Sequence, residues 1–295
     1  MTAESADQPL VSIALPVRNS AATLALALDS IRWQTLASWE LLVMDDGSTD
    51  DGADIARSFG DPRIVVHSDG RHAGLATRLN QAIDLARGRF LARMDADDIA
   101  YPRRLETQAA FLEAHPDVDL VAARALAFRG DGRIIGLLPH RGRHEDICAR
   151  PWSGIPMPHP TWFGRIEWFR RHRYGVPDAP RAEDQELLMR AADRSRYAAC
   201  PEVLLGYRQG AYSVSRTLEG RFGRAGAYTR HARSLGDPLG AFRAILVAFA
   251  KGGIDILAGL PGCDALFFAR MAQPPSRAQQ DEWEAVWRRL AGEVG

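Results

Sequence analysis

Four short apolar runs alternate with helix-like segments in the first hundred residues, and this alternation limits the possible folds more than any other feature. The runs are Val11 to Leu15, Leu41 to Met44, Arg63 to His67 and Phe90 to Met94. The segments between them carry apolar residues at helical spacing, as in Leu24, Leu28 and Ile31. Strands that alternate with helices pair in parallel and are covered on both faces. The pattern therefore predicts an α/β fold with a Rossmann-like, mostly parallel central sheet and helices on both faces.

Polar clusters follow these runs where each predicted strand ends. They are Pro16-Val17-Arg18-Asn19, Asp45 to Asp50, Ser68-Asp69-Gly70 and Arg93 to Asp98. Ligands of open α/β sheets bind at the carboxyl ends of the strands, so these clusters predict a binding site there. Turn formation explains Gly47 and Gly70, and helix capping explains Asp50. Neither role explains why so many aspartates gather at one edge.

The densest acidic cluster is Arg93-Met94-Asp95-Ala96-Asp97-Asp98. Carboxylates this close repel one another unless a cation or hydrogen bonds offset the cost. Clusters of oxygen ligands suit Mn²⁺ or Mg²⁺, which usually take one or two protein carboxylates together with substrate phosphates. A solvated acidic turn is the alternative, and the neighbouring motifs favour the divalent cation.

Composition excludes several classes of protein. Lys plus Arg and Asp plus Glu balance at 37 each among 295 residues, so no net field favours nucleic acid as a partner. The cysteines, Cys148, Cys200 and Cys263, are isolated and lack metal-ligand spacing, which is typical of a reducing compartment. The polar start does not resemble a signal peptide, and no apolar run reaches the length of a membrane span. We therefore expect a cytoplasmic protein.

The second half predicts further strands and helices. Val118 to Phe128 and Arg133 to Leu138 read as a hairpin, and Pro151 to Pro160 as a helix-free loop beside the site. Ala182 to Arg194 reads as a helix, and Tyr197 to Tyr207 as a final short strand.

The tail predicts helices of a different character. Its first apolar face, from Leu239 to Phe249, is expected to break at Lys251-Gly252-Gly253, before apolar pieces at Ile254 to Leu260 and Leu266 to Met271. Ser276 and Gln279 form a capping-box pattern ahead of a last helix. We expect these helices to pack on the core, with a peripheral membrane contact as the alternative.

The ordered motifs resemble those of family 2 glycosyltransferases with a GT-A fold. They are Pro16-Val17-Arg18-Asn19, Asp45-Asp46-Gly47-Ser48-Thr49-Asp50, Asp95-Ala96-Asp97-Asp98 and Glu183-Asp184. The resemblance implies a flexible start at 1–10, a GT-A domain at 11–215 and a C-terminal helical extension at 216–295. Within the domain, 11–100 would bind the nucleotide sugar and 101–215 the acceptor. The Gln-x-x-Arg-Trp signature of processive relatives is absent from the sequence, so the expected type adds single sugars.

The resemblance also implies roles on the donor side. Pro16, Val17 and Arg18 would line the pocket for the nucleotide base. Asp46 would accept a hydrogen bond from the ring N–H of the base, and Asp95 would reach the ribose. The donor would be a nucleotide-diphosphate sugar, with a UDP-sugar favoured.

On the catalytic side, Asp97 would ligate the metal ion and Arg208 would contact the diphosphate. Asp184 matches the family's catalytic base, and its place near a helix N-terminus favours the ionised form. The residues expected to shape the site or face the acceptor are Asp98, Arg93, His159 and Glu183.

The predicted function is the inverting transfer of one sugar to a saccharide or lipid-linked saccharide acceptor, in the assembly of cell-envelope or other extracellular polysaccharide, with location extending to the inner face of the membrane. One alternative is a nucleotide-sugar-binding module without catalysis, which would often lack Asp184 or the Asp95 and Asp97 pair. A nucleotidyltransferase is a third possibility, but Pro16-Val17-Arg18-Asn19 lacks the glycines of a phosphate loop.

Overall fold

The computed structural model describes residues 8–176, 182–260 and 273–292. Its strands are β1 (Val11–Val17), β2 (Trp39–Asp45), β3 (Ile64–Ser68), β4 (Phe90–Arg93), β5 (Ile99–Ala100), β6 (Leu120–Phe128), β7 (Ile134–Leu137), β8 (Phe163–Arg165) and β9 (Tyr197–Arg208). Its helices are α1 (Ala21–Arg32), α2 (Gly52–Ser58), α3 (Leu75–Leu85), α4 (Arg104–Ala114), α5 (His144–Cys148), α6 (Ile166–Arg171), α7 (Glu183–Ala191), α8 (Val214–Ser234), α9 (Pro238–Ala258) and α10 (Arg277–Leu290).

The strands form one sheet in the order β3-β2-β1-β4-β8-β6-β9-β5, with β7 paired to β6. β1 to β4 run parallel to one another, and β6 runs parallel to β9. β8 is antiparallel to both β4 and β6, so it joins the two parallel groups. The mostly parallel α/β sheet is therefore confirmed. The short strands β5 and β8 were not predicted because two or three residues carry no usable periodicity.

Alternating strand residues supply a core on each face of the sheet. Ala14 and Leu42 pack with α3, α6 and α7 on one face. Ile13, Leu41 and Val43 pack with α1, α2 and α4 on the other. Side chains one residue apart on a strand point to opposite faces, so continuous apolar runs are what a doubly covered sheet requires.

The predicted last strand is confirmed as β9, which is long at 12 residues, although it was expected to be short; its register with β6 shifts near Arg124. Two other local predictions were wrong. The segment Pro151–Pro160 contains single 3₁₀ turns at Pro151–Ser153 and His159–Thr161, where prolines start the turns. The helix α9 continues through Lys251-Gly252-Gly253 because Gly252 packs closely on α8: a Cβ there would lie 3.3 Å from Leu218 Cδ2. The predicted piece from Leu266 to Met271 lies outside the described residues.

The last helix, α10, packs on the far end of the sheet as expected. Its capping box forms, with Gln279 N donating to Ser276 Oγ at 3.3 Å and Ser276 N donating to Gln279 Oε1 at 2.9 Å. The buried ring of Trp283 packs on Phe128 at 4.6 Å, and its Nε1 donates to Gly132 O at 2.8 Å. Among the described residues, no helix has the length and hydrophobicity needed to cross the bilayer.

The contact of α10 with β9 predicts a strong effect of Gly206→Ala. A Cβ at Gly206 would lie 2.4 Å from Trp283 Cζ3, so the indole must move and open its packing on Phe128. We expect a loss of about 1–3 kcal/mol in the free energy of unfolding, measured by urea denaturation. Gly210→Ala is the control, because nothing lies within 4 Å of a Cβ there. Equal effects of the two variants would show that α10 is not tightly docked.

Candidate active site

The first two loops at the carboxyl edge are bonded to each other. Asp46 N donates to Val17 O at 2.8 Å, which continues the pairing of β1 with β2 past the end of the sheet. Asn19 has a left-handed φ of 50°, and its Oδ1 accepts from Thr49 N at 2.8 Å. Its own N donates to Ser48 Oγ at 3.1 Å. The predicted donor residues Pro16, Val17 and Arg18 are thereby held beside Asp46.

Gly47 allows a third loop to approach. Its φ is +69°, and a Cβ there would lie 2.9 Å from both Arg71 C and His72 N. Only glycine adopts this conformation at no cost and leaves room for the neighbouring backbone. The loop after β3 can therefore close over Asp46.

The buried carboxylate of Asp46 is the centre of this part of the site. Its Oδ1 accepts from Ala73 N at 2.7 Å, Gly74 N at 3.1 Å and Arg78 Nε at 3.1 Å. Its Oδ2 accepts from His72 Nδ1 at 2.7 Å and shares the Gly74 N–H at 3.3 Å. Burial raises the pKa of Asp46, but these bonds outweigh burial and hold it below the usual value of 3.8. The carboxylate therefore stays ionised, and Oδ2 keeps the most remaining acceptor capacity.

The exposed histidine of this loop joins Asp46 to Arg18. Since His72 Nδ1 faces the Asp46 carboxylate, Nε2 is the acceptor for Arg18 Nη1 at 3.0 Å. Sequence reasoning did not identify His72, because a single histidine after Ser68-Asp69-Gly70 carries no motif. The guanidinium of Arg18, which is predicted to line the base pocket, is thus linked to Asp46 through His72.

Arg78 ties Asp46 to Asp69, and we expect Arg78→Met to be strongly destabilising. Its side chain is buried; Nη2 donates to Asp69 Oδ1 at 2.6 Å and also to Arg71 O. Removing the cation leaves a buried carboxylate without its ionic partner, at a cost of about 3–5 kcal/mol in the free energy of unfolding. Arg57→Met removes the exposed Arg57–Asp54 pair and should cost under about 1 kcal/mol. Similar urea midpoints for both variants would contradict this account.

The acidic cluster follows β4. Carboxylate oxygens of Asp95, Asp97 and Asp98 all lie within 4.8 Å of one another. Arg93 Nη1 donates to Asp95 Oδ2 at 2.6 Å, and Arg208 N donates to Asp98 Oδ1 at 2.9 Å. Asp97 reaches solvent, but desolvation by the surrounding protein and then the charge of Asp95 raise its pKa; full burial with both neighbouring carboxylates raises the pKa of Asp98 further. Without a cation these carboxylates repel one another.

These residues fit a divalent cation. Asp98 Oδ2 is buried and finds no hydrogen-bond partner in the described part of the chain, so one hard oxygen ligand remains unsatisfied inside the cluster. Oxygen donors of this kind are what Mn²⁺ and Mg²⁺ prefer. Asp97 is exposed and Asp98 is buried, so an ion between them would have one face open to substrate. The sequence predicted Asp98 only as a neighbour that shapes the site. Its position in the structure makes it a candidate metal ligand as well.

Arg208 lies at the end of β9 against the same cluster. Its Nε donates to Asp97 O at 2.8 Å, and its guanidinium lies 4.8 Å from the centre of the Phe128 ring. Arg208, the residue predicted to contact the diphosphate, therefore lies next to the candidate metal ligands. The C-terminal extension supports this arrangement indirectly, because Phe128 packs on Trp283 of α10.

A cleft of about 690 Å³ joins the acidic cluster to the first turn of α7. It is lined by Arg93, Asp95, Pro156, Met157, His159, Glu183, Asp184, Gln185, Tyr207, Gln209 and Arg224, among others. The structure thus brings most of the predicted catalytic and acceptor residues to one cavity. Arg18, Asp46, Asp97 and Arg208 lie outside its lining, on the donor side.

Asp184 is half-buried at the start of α7, and Gln185 Nε2 donates to its Oδ2 at 3.2 Å. Burial raises the pKa of Asp184 and outweighs the bond from Gln185. The expectation that the helix N-terminus alone would favour its ionised form is therefore corrected. A raised pKa makes the carboxylate a stronger base once it is ionised.

His159 belongs to a buried network on the wall of the cleft. Its Nε2 lies 2.7 Å from Tyr174 Oη, and its Nδ1 lies 3.7 Å from Glu183 Oε1. Burial, and then the charge of Arg93, lower the pKa of His159 far below its usual value, so the ring is neutral. Tyr174 is held in turn by Asn80, which accepts from Tyr174 N at 3.0 Å. His159 is therefore a neutral group that supports Glu183.

Arg224 was missed because no motif marks it within the predicted helical extension. It lies on the cleft wall, and burial lowers its pKa, while the carboxylate of Asp184 has the opposite effect. A cation near Asp184 favours the ionised base. No residue pattern in the sequence links position 224 with position 184.

The raised pKa of Asp184 predicts a pH dependence of catalysis. Since the base acts only when ionised, kcat should fall as the pH drops through this pKa, with the midpoint above the ordinary aspartate value of 3.8. The measurement is kcat against pH, with folding followed by circular dichroism at each pH. A kcat that stays constant down to the ordinary aspartate range would exclude Asp184 as the base.

Comparison with known proteins shows which sequences and structures the chain is similar to. Residues 12–173 match the model of the family described as glycosyl transferase family 2. The putative glycosyltransferase EpsE of Bacillus subtilis is 35% identical over 191 residues, which cover 62% of this chain and 66% of that protein. The match thus spans slightly less than two thirds of this relative.

Solved structures share the fold. S. aureus TarS 1-349, in complex with UDP-GlcNAc, superposes with a TM-score of 0.58 at 18% identity, covering 97% of this chain and 81% of that chain. The mannosyltransferase PcManGT from Pyrobaculum calidifontis, in complex with GDP-Man and Mn²⁺, gives a TM-score of 0.56 at 19% identity, covering 98% and 89%. The predicted fold class is confirmed by these similarities together with the sheet.

Proposed function

Because the chain belongs to glycosyl transferase family 2, we propose that it moves one sugar from a nucleotide-diphosphate sugar to an acceptor hydroxyl, with metal assistance and inversion. The family predicted from the motifs is confirmed, and with it the general class of enzyme. The observation that carries the finer proposal is the cleft that has both Asp95 and Asp184 on its walls. Transfer from a diphosphate donor needs a general base for the acceptor and a cluster of metal-binding carboxylates for the phosphates, both around one cavity.

The donor side of the proposal rests on the loops around Asp46. Pro16, Val17 and Arg18 would surround the base, and Asp46 Oδ2 has the acceptor capacity for a ring N–H. We favour a UDP-sugar as donor. Structural relatives were solved with UDP-GlcNAc and with GDP-Man, so the base has to be identified by experiment.

The cation would be held by Asp97 and Asp98, with Asp95 at its side. When bound, it neutralises the charge that builds up on the leaving diphosphate. Arg208 would add a second positive charge at the same place. The Mn²⁺ in the mannosyltransferase complex supports this choice of metal.

Asp184 would remove the proton from the acceptor hydroxyl as that oxygen attacks the anomeric carbon. The bond from that carbon to the diphosphate breaks as the new bond forms, so a single displacement inverts the centre. Arg93 would keep the Asp95 carboxylate in place, since the two are paired at 2.6 Å. His159 and Glu183 would face the acceptor without taking its proton.

The acceptor we propose is a saccharide or lipid-linked saccharide, used in building cell-envelope or exopolysaccharide. An apolar surface on α9, beside the loop that forms part of the cleft wall, fits a lipid-linked acceptor. Location in the cytoplasm, at the inner face of the membrane, follows from this proposal and stays a prediction.

A donor panel tests the proposal. Purified protein with Mn²⁺ is incubated with UDP-, GDP-, dTDP- and CDP-sugars, and release of the nucleoside diphosphate is measured with and without simple saccharide acceptors. We expect one base class to support release, and NMR of the product to show the inverted anomeric configuration. Donor binding without any release would favour the binding module, and a retained configuration would overturn the single displacement.

A further inference from the structure

The helix α9 has an unusual distribution of side chains. The face that packs on α8 is made of small residues: Ala241, Ala244, Ala248, Gly252 and Ala258 are buried or nearly so. The outer face carries large apolar side chains, and Leu260 continues it two residues past the end of the helix. These residues, all between 39% and 75% exposed, are Leu239, Phe242, Ile245, Leu246, Phe249, Ile254, Ile256, Leu257 and Leu260. We call these nine residues the α9 apolar face. Single exposed apolar residues are ordinary, but a continuous face of this size marks an interaction surface.

The helix pair α8 and α9 is mainly basic. Residues 214–260 contain seven Lys or Arg against three Asp or Glu, in a chain whose net charge is zero. Arg221 and Asp255 form one ion pair, and Arg224 lies on the cleft wall. Arg216, Arg230, Arg233 and Arg243 are exposed. An apolar face on a helix pair with exposed arginines is complementary to an anionic lipid surface.

The geometry points to an anionic phospholipid surface as the partner of the α9 apolar face; this is the occupant we infer. A second copy of the chain is less consistent with the face, because its apolar residues are too widely spread for the narrow seam of a coiled coil. A lipid surface accepts a broad apolar face and also attracts the arginines.

The same helix contacts the loop that leads into the cleft wall, so docking would have a catalytic consequence. Arg243 stacks on Trp152 at 4.0 Å, and Lys251 Nζ donates to Ser153 Oγ at 2.6 Å. Only Gly154 separates these two residues from the segment Ile155 to Pro160 that lines the cleft. The opening near Asp184 would therefore lie close to the lipid surface, where a lipid-linked saccharide could reach it. Docking itself does not depend on the proposed transfer.

Vesicle flotation of the full chain tests this inference without any donor. Wild type should float with vesicles that contain phosphatidylglycerol, and more weakly with pure phosphatidylcholine. The double substitution Phe242→Ser/Phe249→Ser should lower the partition coefficient by at least about tenfold, because it removes two aromatic rings that would contact the apolar part of the lipid. Leu85→Ser, which is 42% exposed on α3, is the matched control and should leave partitioning unchanged. Arg230→Gln/Arg233→Gln should reduce the preference for phosphatidylglycerol.

Two results would overturn the inference. The first is a folded wild type that floats with neither vesicle at low salt. The second is a dimer that the Phe242 and Phe249 substitutions dissociate, without vesicle binding by wild type. None of these vesicle results would change the transfer activity measured in the donor panel. The proposal of lipid docking and the proposal of sugar transfer can therefore be refuted independently.

Discussion

Asp184→Asn is expected to lower kcat by about 10²- to 10⁴-fold, the usual contribution of a general base, while donor binding stays close to that of wild type. Asparagine keeps the size of the side chain and its contact with Gln185, but it cannot take a proton. Asp184 is half-buried and its ionisation is opposed by burial, so the neutral amide should not destabilise the fold. The measurement is kcat and KM with the donor identified by the panel, together with thermal unfolding.

Glu183→Gln is the control for this substitution. Glu183 also lies in the first turn of α7 and on the cleft wall, but it faces the neutral His159 at 3.7 Å. We expect a much smaller loss, mainly in KM for the acceptor. A larger loss in Glu183→Gln than in Asp184→Asn would exchange the roles assigned to the two carboxylates.

Asp97→Ala is the second large effect, with an expected loss on the order of 10²–10³ in kcat/KM and a weaker response to Mn²⁺. The substitution removes one candidate metal ligand from the surface of the cluster. It also relieves repulsion of Asp98, whose pKa is raised by its neighbours, so the protein should remain folded or become slightly more stable. The measurements are activity against Mn²⁺ concentration and the melting temperature.

Asp54→Ala is the matched control, since it removes an exposed carboxylate paired only with Arg57 on α2. It should leave both activity and metal response unchanged. Asp98→Asn extends the test to the buried candidate ligand, because asparagine keeps the shape of the side chain but replaces the carboxylate with an uncharged amide, which binds a cation more weakly. If Asp97→Ala and Asp54→Ala responded to Mn²⁺ identically, the cluster would not be the metal site.

Sequence reasoning could place the candidate donor-side residues at one edge of the sheet, because these residues are local to strand ends. Asp46, Asp95 and Asp97 follow apolar runs whose pairing in parallel necessarily gathers them at one edge. The same logic could not find His72 or Arg78 as partners of Asp46. Those contacts depend on how the loop after β3 folds back over Gly47, which no periodicity encodes.

The acceptor side was harder to predict, since it is built by distant segments. Arg224, on α8, lines the same cleft as Asp184, and Tyr174 supports His159 from the loop after α6. The sequence also did not predict that the pKa of Asp184 is raised above its ordinary value. Burial by these distant segments raises it more than the helix N-terminus lowers it. At α9, the break expected at Gly252 and Gly253 did not occur, since tertiary packing against Leu218 favours a small residue there.

The most direct test of the central claim is thermal unfolding with UDP, GDP, dTDP or CDP, each with Mn²⁺ or with EDTA. A ligand that binds only the folded state raises the melting temperature by mass action. We predict that one nucleotide, with UDP favoured, stabilises wild type and Asp184→Asn equally, that EDTA abolishes the shift, and that Asp97→Ala shows little of it. The account would be contradicted if no nucleotide shifted the melting temperature, or if the shift were the same in EDTA.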